Sequence, residues 1–329
     1  MLSRRHLIAL AAGPALAPAV FVRASRAQPA KADFPSKPVR VIVPVAAGGP
    51  TDIVARMLAE KLSRMWDQQV VVENKGGAGT NIGNEYAARS DPDGYTILFA
   101  TASLAVNISL YRSLSYDPLA DFTPVSLVTE LPYFVFVPNS SPAHSIRGLI
   151  EHARADPGRL TMASPGTGSA PFLAEMLFLQ MADIRMTHVP YRGANPAFAD
   201  LIPGRVDCYF GSGALLSYSR SGQVRVLASS GPKRDAAAPE VPTIAEAGVP
   251  GYEVTGWQAL FVPARTPTQI IRKISADTNT ALADPAIKDK LGKTGYTARG
   301  SSPDELEELL KSEINKWSAV IRSVGIKID

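Results

Sequence analysis

Short apolar runs alternate with amphipathic stretches along almost the whole chain, and this alternation restricts the fold more than any other feature. Strands are expected at 39–45, 69–73, 95–100, 133–137, 160–163, 187–190, 205–210, 224–229 and 259–262. Between them apolar residues recur at helical spacing. Ile53, Val54, Met57, Leu58, Leu62 and Met65 share one face, and Phe172, Leu173, Met176 and Leu177 share another. Leu306, Leu309, Leu310, Ile314, Trp317 and Ile321 repeat the pattern near the end. Strands alternating with helices predict an α/β fold, with parallel sheets covered on both faces.

Two apolar runs bounded by proline, Glu130–Pro138 and Gly256–Pro263, read as crossings between lobes. Residues 28–131 with 257–329 then make a first lobe, and 132–256 a second. Two crossings form a hinge, and the space between two domains is where small ligands commonly bind.

The N-terminus points to export. Arg4 and Arg5 precede a sixteen-residue apolar run from Leu7 to Val22, and Ser25 and Ala27 place small residues before a cut ahead of Gln28. A membrane span needs roughly 20 apolar residues, and Gly13, Pro14 and Pro18 interrupt this one. Residues 1–27 therefore read as a signal peptide, and the paired arginines also fit a twin-arginine signal. The chain carries 34 Lys and Arg against 30 Asp and Glu. Arg4, Arg5, Arg23 and Arg26 precede the cut and no acid does, so the remainder is formally neutral. Without a basic stripe, nucleic acid has no electrostatic footing. The single cysteine, Cys208, sits in an apolar run and is expected to be a buried strand residue.

Four strand-to-helix loops carry the chemistry. Pro44–Asp52 contains Gly48 and Gly49, with Thr51 placed as a helix cap and Asp52 beside it. Free N–H groups at such a helix start attract an anion without a charged side chain. Asn74–Gly83 repeats the device, but Ile82 stands where a dinucleotide-binding loop needs glycine. Ala163–Pro171 brings hydroxyls ahead of a helix. Pro190–Pro196 places Asn195 as a cap before Pro196. Parallel sheets collect such loops at one crevice. Enzyme readings lack parts: the sequence holds no metal-ligand spacing, nucleophile elbow or visible nucleophile–base pair. His144 and His152 are expected to be solvated, and His188 to lie in the core.

In order along the chain, Gly48, Gly49, Thr51, Asp52 and Arg56 are followed by Val72-Glu73-Asn74-Lys75, Ala78-Gly79 and Asn81-Ile82-Gly83. Asp91-Pro92-Asp93-Gly94-Tyr95-Thr96, Pro190-Tyr191-Arg192-Gly193, Asp200-Leu201, Gly204-Arg205-Val206-Asp207 and Pro242-Thr243-Ile244-Ala245-Glu246-Ala247-Gly248 continue the series. Together these motifs resemble the Bug (TctC-like) family, periplasmic substrate-binding receptors of tripartite tricarboxylate transporter systems. The resemblance covers essentially all of the chain after residue 27.

The resemblance implies a type II periplasmic-binding-protein fold, two doubly wound lobes joined by two hinge strands that close like a flytrap on a small carboxylate. It implies no cofactor or metal, a monomer in the periplasm, and membrane permease subunits as partners. Ligand contacts would come from Ala47, Gly48, Gly49 and Asp52, then from Ala78, Gly79, Asn81 and Ser103. Across the cleft they would come from Ser164, Gly166, Thr167, Gly168 and Ser169, then Tyr191, Arg192 and Asp207. Val45, Gly76, Thr80 and Phe172 depart from the family pattern, and Val45 with Phe172 suggests a less polar or aromatic acid. A ligand sensor for a signalling partner, or an α/β enzyme acting on a small anion, are the alternative readings.

Overall fold

The computed structural model describes residues 34–191 and 193–325. The export segment, Arg192 and residues 326–329 lie outside them. The chain lays down β1 (Val39–Val43), α1 (Pro50–Trp66), β2 (Val70–Asn74), α2 (Asn81–Ala88), β3 (Thr96–Thr101) and α3 (Ser103–Leu110) in turn. A long strand, β4 (Phe122–Pro138), leads to α4 (Ile146–Ala155), β5 (Thr161–Ser164), α5 (Ala170–Ala182) and β6 (Thr187–Pro190). Then come α6 (Ala194–Leu201), β7 (Cys208–Ser212), α7 (Leu216–Arg220) and β8 (Val224–Ser229). β9 (Thr255–Pro263) returns to α8 (Thr268–Ala283), α9 (Pro285–Lys293), β10 (Thr297–Ala298) and α10 (Pro303–Val324).

The first lobe is built on the order β2-β1-β3-β9-β4, and the second on β4-β7-β5-β6, with β10 and β8 also paired to β4. β1 runs parallel to β2 and β3, and β5 parallel to β6 and β7. β9 is antiparallel to both β3 and β4, and β4 is antiparallel to β7 and β8. The sheets are therefore mixed, not all-parallel as the alternation of elements predicts. In the second sheet β4 alone opposes the other strands, and in the first β9 and the short β10 do.

β4 belongs to both sheets. Phe122–Pro132 pairs with β9, and Tyr133–Pro138 pairs with β7 and β8. Its prolines stand where a missing N–H does least harm. Pro124 borders a register shift, Pro132 is the last residue paired in the first sheet, and Pro138 ends the strand.

Strand direction fixes where the loops go. β3 and β4 are each antiparallel to β9, so β1, β2 and β3 run the same way as β4 and end toward Pro132. Beyond Pro132, β7 opposes β4 with Ser212 against Tyr133, and β5 and β6 follow β7. The carboxyl ends of the parallel strands in both lobes therefore point at the same junction.

Alternate residues of each strand serve opposite faces. Val41, Val43, Ile97 and Phe99 join one apolar cluster, whereas Ile42, Leu98 and Ala100 join another with Trp257, Leu306 and Leu310. Each large side chain so buried contributes about 1.5–3 kcal/mol. Cys208 is free and buried, as its apolar run predicts, and burial pushes its thiol pKa well up.

Candidate functional site

In the first lobe, α1 starts at Pro50 with Gly49 as its cap residue and no side-chain cap. Thr51 thus lies inside the first turn, not at the cap, and its Oγ1 accepts from Gln258 Nε2 at 3.1 Å. Asp52 organises the loop instead. Its buried carboxylate accepts from Gly48 N, Arg56 Nε and Asn74 Nδ2, each at 2.9 Å. Burial alone would raise the Asp52 pKa, but those three donors outweigh it and hold it below the usual value. Arg56 also donates to Asn74 Oδ1, so its charge is spent on the scaffold.

The second loop is wedged against the first. A Cβ on Gly76 would meet Ala46 N at 3.0 Å and the Val45 carbonyl carbon at 3.1 Å. Gly77, Ala78, Gly79 and Thr80 then all take positive φ, from 45° to 131°. For Ala78 and Thr80 this costs on the order of 1–3 kcal/mol each, and a buried amide cluster holds it. Asn107 Nδ2 donates to Gly79 O at 2.8 Å and to Asn81 Oδ1 at 2.6 Å, and Tyr116 OH donates to Asn81 Oδ1 at 2.7 Å. The Asn81 side chain is thereby turned into the scaffold. Ser103 opens α3 directly after β3. The structure thus brings Ala47, Gly48, Gly49, Asp52, Ala78, Gly79, Asn81 and Ser103 to the carboxyl end of the first sheet.

In the second lobe Ser164 ends β5 opposite Pro190 of β6. Tyr191 N donates to Ser164 O and Gly193 N to Pro165 O, both at 3.0 Å, zipping the two loops together. Ser169 caps α5 by accepting from Phe172 N. Ser164, Gly166, Thr167, Gly168, Ser169 and Tyr191 therefore lie together, although the Tyr191 hydroxyl is spent on Asp200 at 2.8 Å. α6 begins at Ala194 behind Gly193, so Asn195 sits in its first turn and not at its cap. Arg192 lies outside the described residues.

Asp207 is not brought to this group. Its Oδ2 accepts from Thr161 N at 2.8 Å, at the amino end of β5. Three residues of strand, about 10 Å, separate that end from Ser164. Phe172 is also absent from the cleft: it is 2% exposed and packs on the His188 ring at 4.6 Å between centroids. The argument it lent to an aromatic ligand falls away.

A nucleophile–base contact, invisible in the sequence, is present. Ser164 Oγ lies 2.7 Å from His188 Nε2, which is half-buried and not in the core proper. The same Oγ accepts from Gly166 N at 3.1 Å, and Ser164 is fully buried, so the pair shapes the loop. Burial pushes the His188 pKa down, favouring the neutral ring. His144 and His152 are exposed, as expected. Gln258, which no sequence motif singles out, receives Thr129 Oγ1 at 3.0 Å and donates to Thr51, linking both crossing strands to the start of α1. A lone amide within the apolar run Trp257–Val262 was the available signal. Among the described residues no cluster of His, Cys, Asp or Glu could hold a metal, and no helix is long and apolar enough to cross a membrane.

The tripartite tricarboxylate transporter family receptor model, TctC, matches residues 54–326. A relative from Pseudomonas sp. strain P51, the UPF0065 protein in the tcbD-tcbE intergenic region, is 38% identical over 97% of this chain and 94% of its own. Among solved structures, Rhodopseudomonas palustris Rpa4515 with adipate is 35% identical, with a TM-score of 0.82 over 90% of this chain and 99% of that one. MatC from the same species, with bound malate, is 31% identical, with a TM-score of 0.77 over 88% and 100%. These are solute-binding receptors, not enzymes. With the fold and most of the expected loops in place, the chain belongs to the TctC, or Bug, family of tripartite tricarboxylate transporter receptors.

Proposed function

We propose that this chain captures a small carboxylate-bearing metabolite between its lobes and hands it to the membrane permease subunits of a tripartite tricarboxylate-type transporter. The lobes are residues 28–131 with 257–329, and 132–256. Removal of residues 1–27 on export leaves a periplasmic monomer. The reading rests above all on strand direction: the loops ahead of α1, α3 and α5 end at one junction from opposite sides. N–H groups at these helix starts, with the hydroxyls of Ser103, Thr167 and Ser169, suit a carboxylate held with little opposing charge. The adipate- and malate-bound relatives support a dicarboxylate of that size.

Thermal melting against adipate, malate, citrate and benzoate tests the proposal. A true ligand raises the melting temperature with concentration, since binding the folded state at one hundred times Kd adds about 2.7 kcal/mol. If no acid raises it at millimolar concentration, capture of a carboxylate is refuted.

A further inference from the structure

A cavity of about 740 Å³ lies away from the glycine-rich loops, beside the last turns of α5. Its lining on α5 begins at Met176, seven residues or about 10 Å along the helix from Ser169. Its volume falls within the range of small-molecule sites. Its lining includes the apolar side chains of Met176, Leu179 and Ile184. It also includes Arg154, Arg185, Asp183 and Gln180, and Ser323 of α10. Ser323 Oγ donates to Gln180 Oε1 at 3.0 Å, so an occupant would touch α10 as well as second-lobe helices.

The charges favour an anion. A helix C-terminus is electronegative, but here Arg154 Nη2 already donates to Ala182 O at 2.7 Å. Arg185 is exposed, and among the described residues its guanidinium has no hydrogen bond or ion pair. With two arginines facing one aspartate, the lining is net positive.

We propose that this cavity is a second small-molecule site, taking an amphipathic anion whose acid group meets Arg185 and whose apolar body lies on Met176 and Leu179. The probe is 8-anilinonaphthalene-1-sulfonate, followed by fluorescence on titration into the receptor. Saturable binding is expected, weakened at least ten-fold by Arg185→Glu and by Leu179→Trp, which adds bulk to the apolar lining. The neutral N-phenyl-1-naphthylamine should bind at least ten-fold more weakly. Arg185 is exposed, so R185E should melt as the parent does and its result stands even if L179W loses stability. Absence of saturable binding overturns the proposal. So does binding that both variants retain and adipate displaces, which would put the probe in the cleft.

Discussion

Glu175 is the side chain least reconciled with its surroundings. It lies fully buried in α5, and neither carboxyl oxygen has a hydrogen bond. Desolvation pushes its pKa well above the usual carboxylate range, and the Phe210 N–H nearby offsets this only slightly. Its neighbours Cys208, Tyr209 and Tyr252 bring no positive charge. A raised folded pKa means stability that is complete below the unfolded value near 4.5 and is lost as pH rises toward the folded value. The loss in that window is about 1.4 kcal/mol per pH unit. Glu175→Gln should therefore flatten the fall in melting temperature between pH 5 and 8 and melt higher than the parent at pH 8. A variant with the parent's slope would mean that Glu175 is ionised in the fold. The apolar face beginning at Phe172 passes through Glu175 at i+3, so its placement was legible, but its lack of a partner was not.

At the scale of elements, the first site loop is positioned by contacts between loops that are distant in sequence. Gly83 lies within α2, where alanine is ordinarily better by about 1 kcal/mol. Here a Cβ would meet Pro44 Cα at 2.7 Å and Lys75 O at 2.8 Å, backbone atoms that cannot swing aside. Overpacking of this kind costs about 1–3 kcal/mol and outweighs the helical gain. Gly83→Ala is expected to lower stability in denaturant melts and to weaken carboxylate binding, because the loop from Pro44 must shift. Unchanged binding with lowered stability would detach α2 from the site. The glycines themselves were readable as loop markers. That Gly76 and Gly83 serve close approach to the first loop was not, because Val45, Ala46 and Pro44, which they avoid, belong to a different strand-to-helix connection.

Across the whole molecule, the two crossing strands couple the lobes. β4 and β9 are paired from Phe122 to Pro132, and Gln258 ties them to the start of α1. Trp257 sits beside that link, 3% exposed, with its indole N–H buried and unpartnered. Trp66 and Trp317, the other two tryptophans, bond Asp277 and Glu313 within the first lobe's helices. Closure about the crossing strands should therefore be reported mainly by Trp257. Carboxylate binding is expected to change the intrinsic fluorescence, and Trp257→Phe to remove most of that change while leaving the affinity within a few-fold. A signal that survives W257F would place the moving surface elsewhere.

By itself the sequence determined the class of fold, the order of its elements, both crossings and the glycine-rich loops, because these follow from local periodicity and turn chemistry. It also marked Cys208 as buried and both exposed histidines as solvated. Tertiary structure alone decided the rest. The first half of β4 escaped notice because its prolines and polar residues look unlike a strand until β9 pairs with them. Asp207 carries the family motif yet faces Thr161, since strand direction places it at the amino end of its sheet. The Ser164–His188 contact joins β5 to β6, and neither residue has a local reason to seek the other. Each of these depends on which strands lie side by side and in which direction, information carried by long-range pairing and not by any stretch of neighbouring residues.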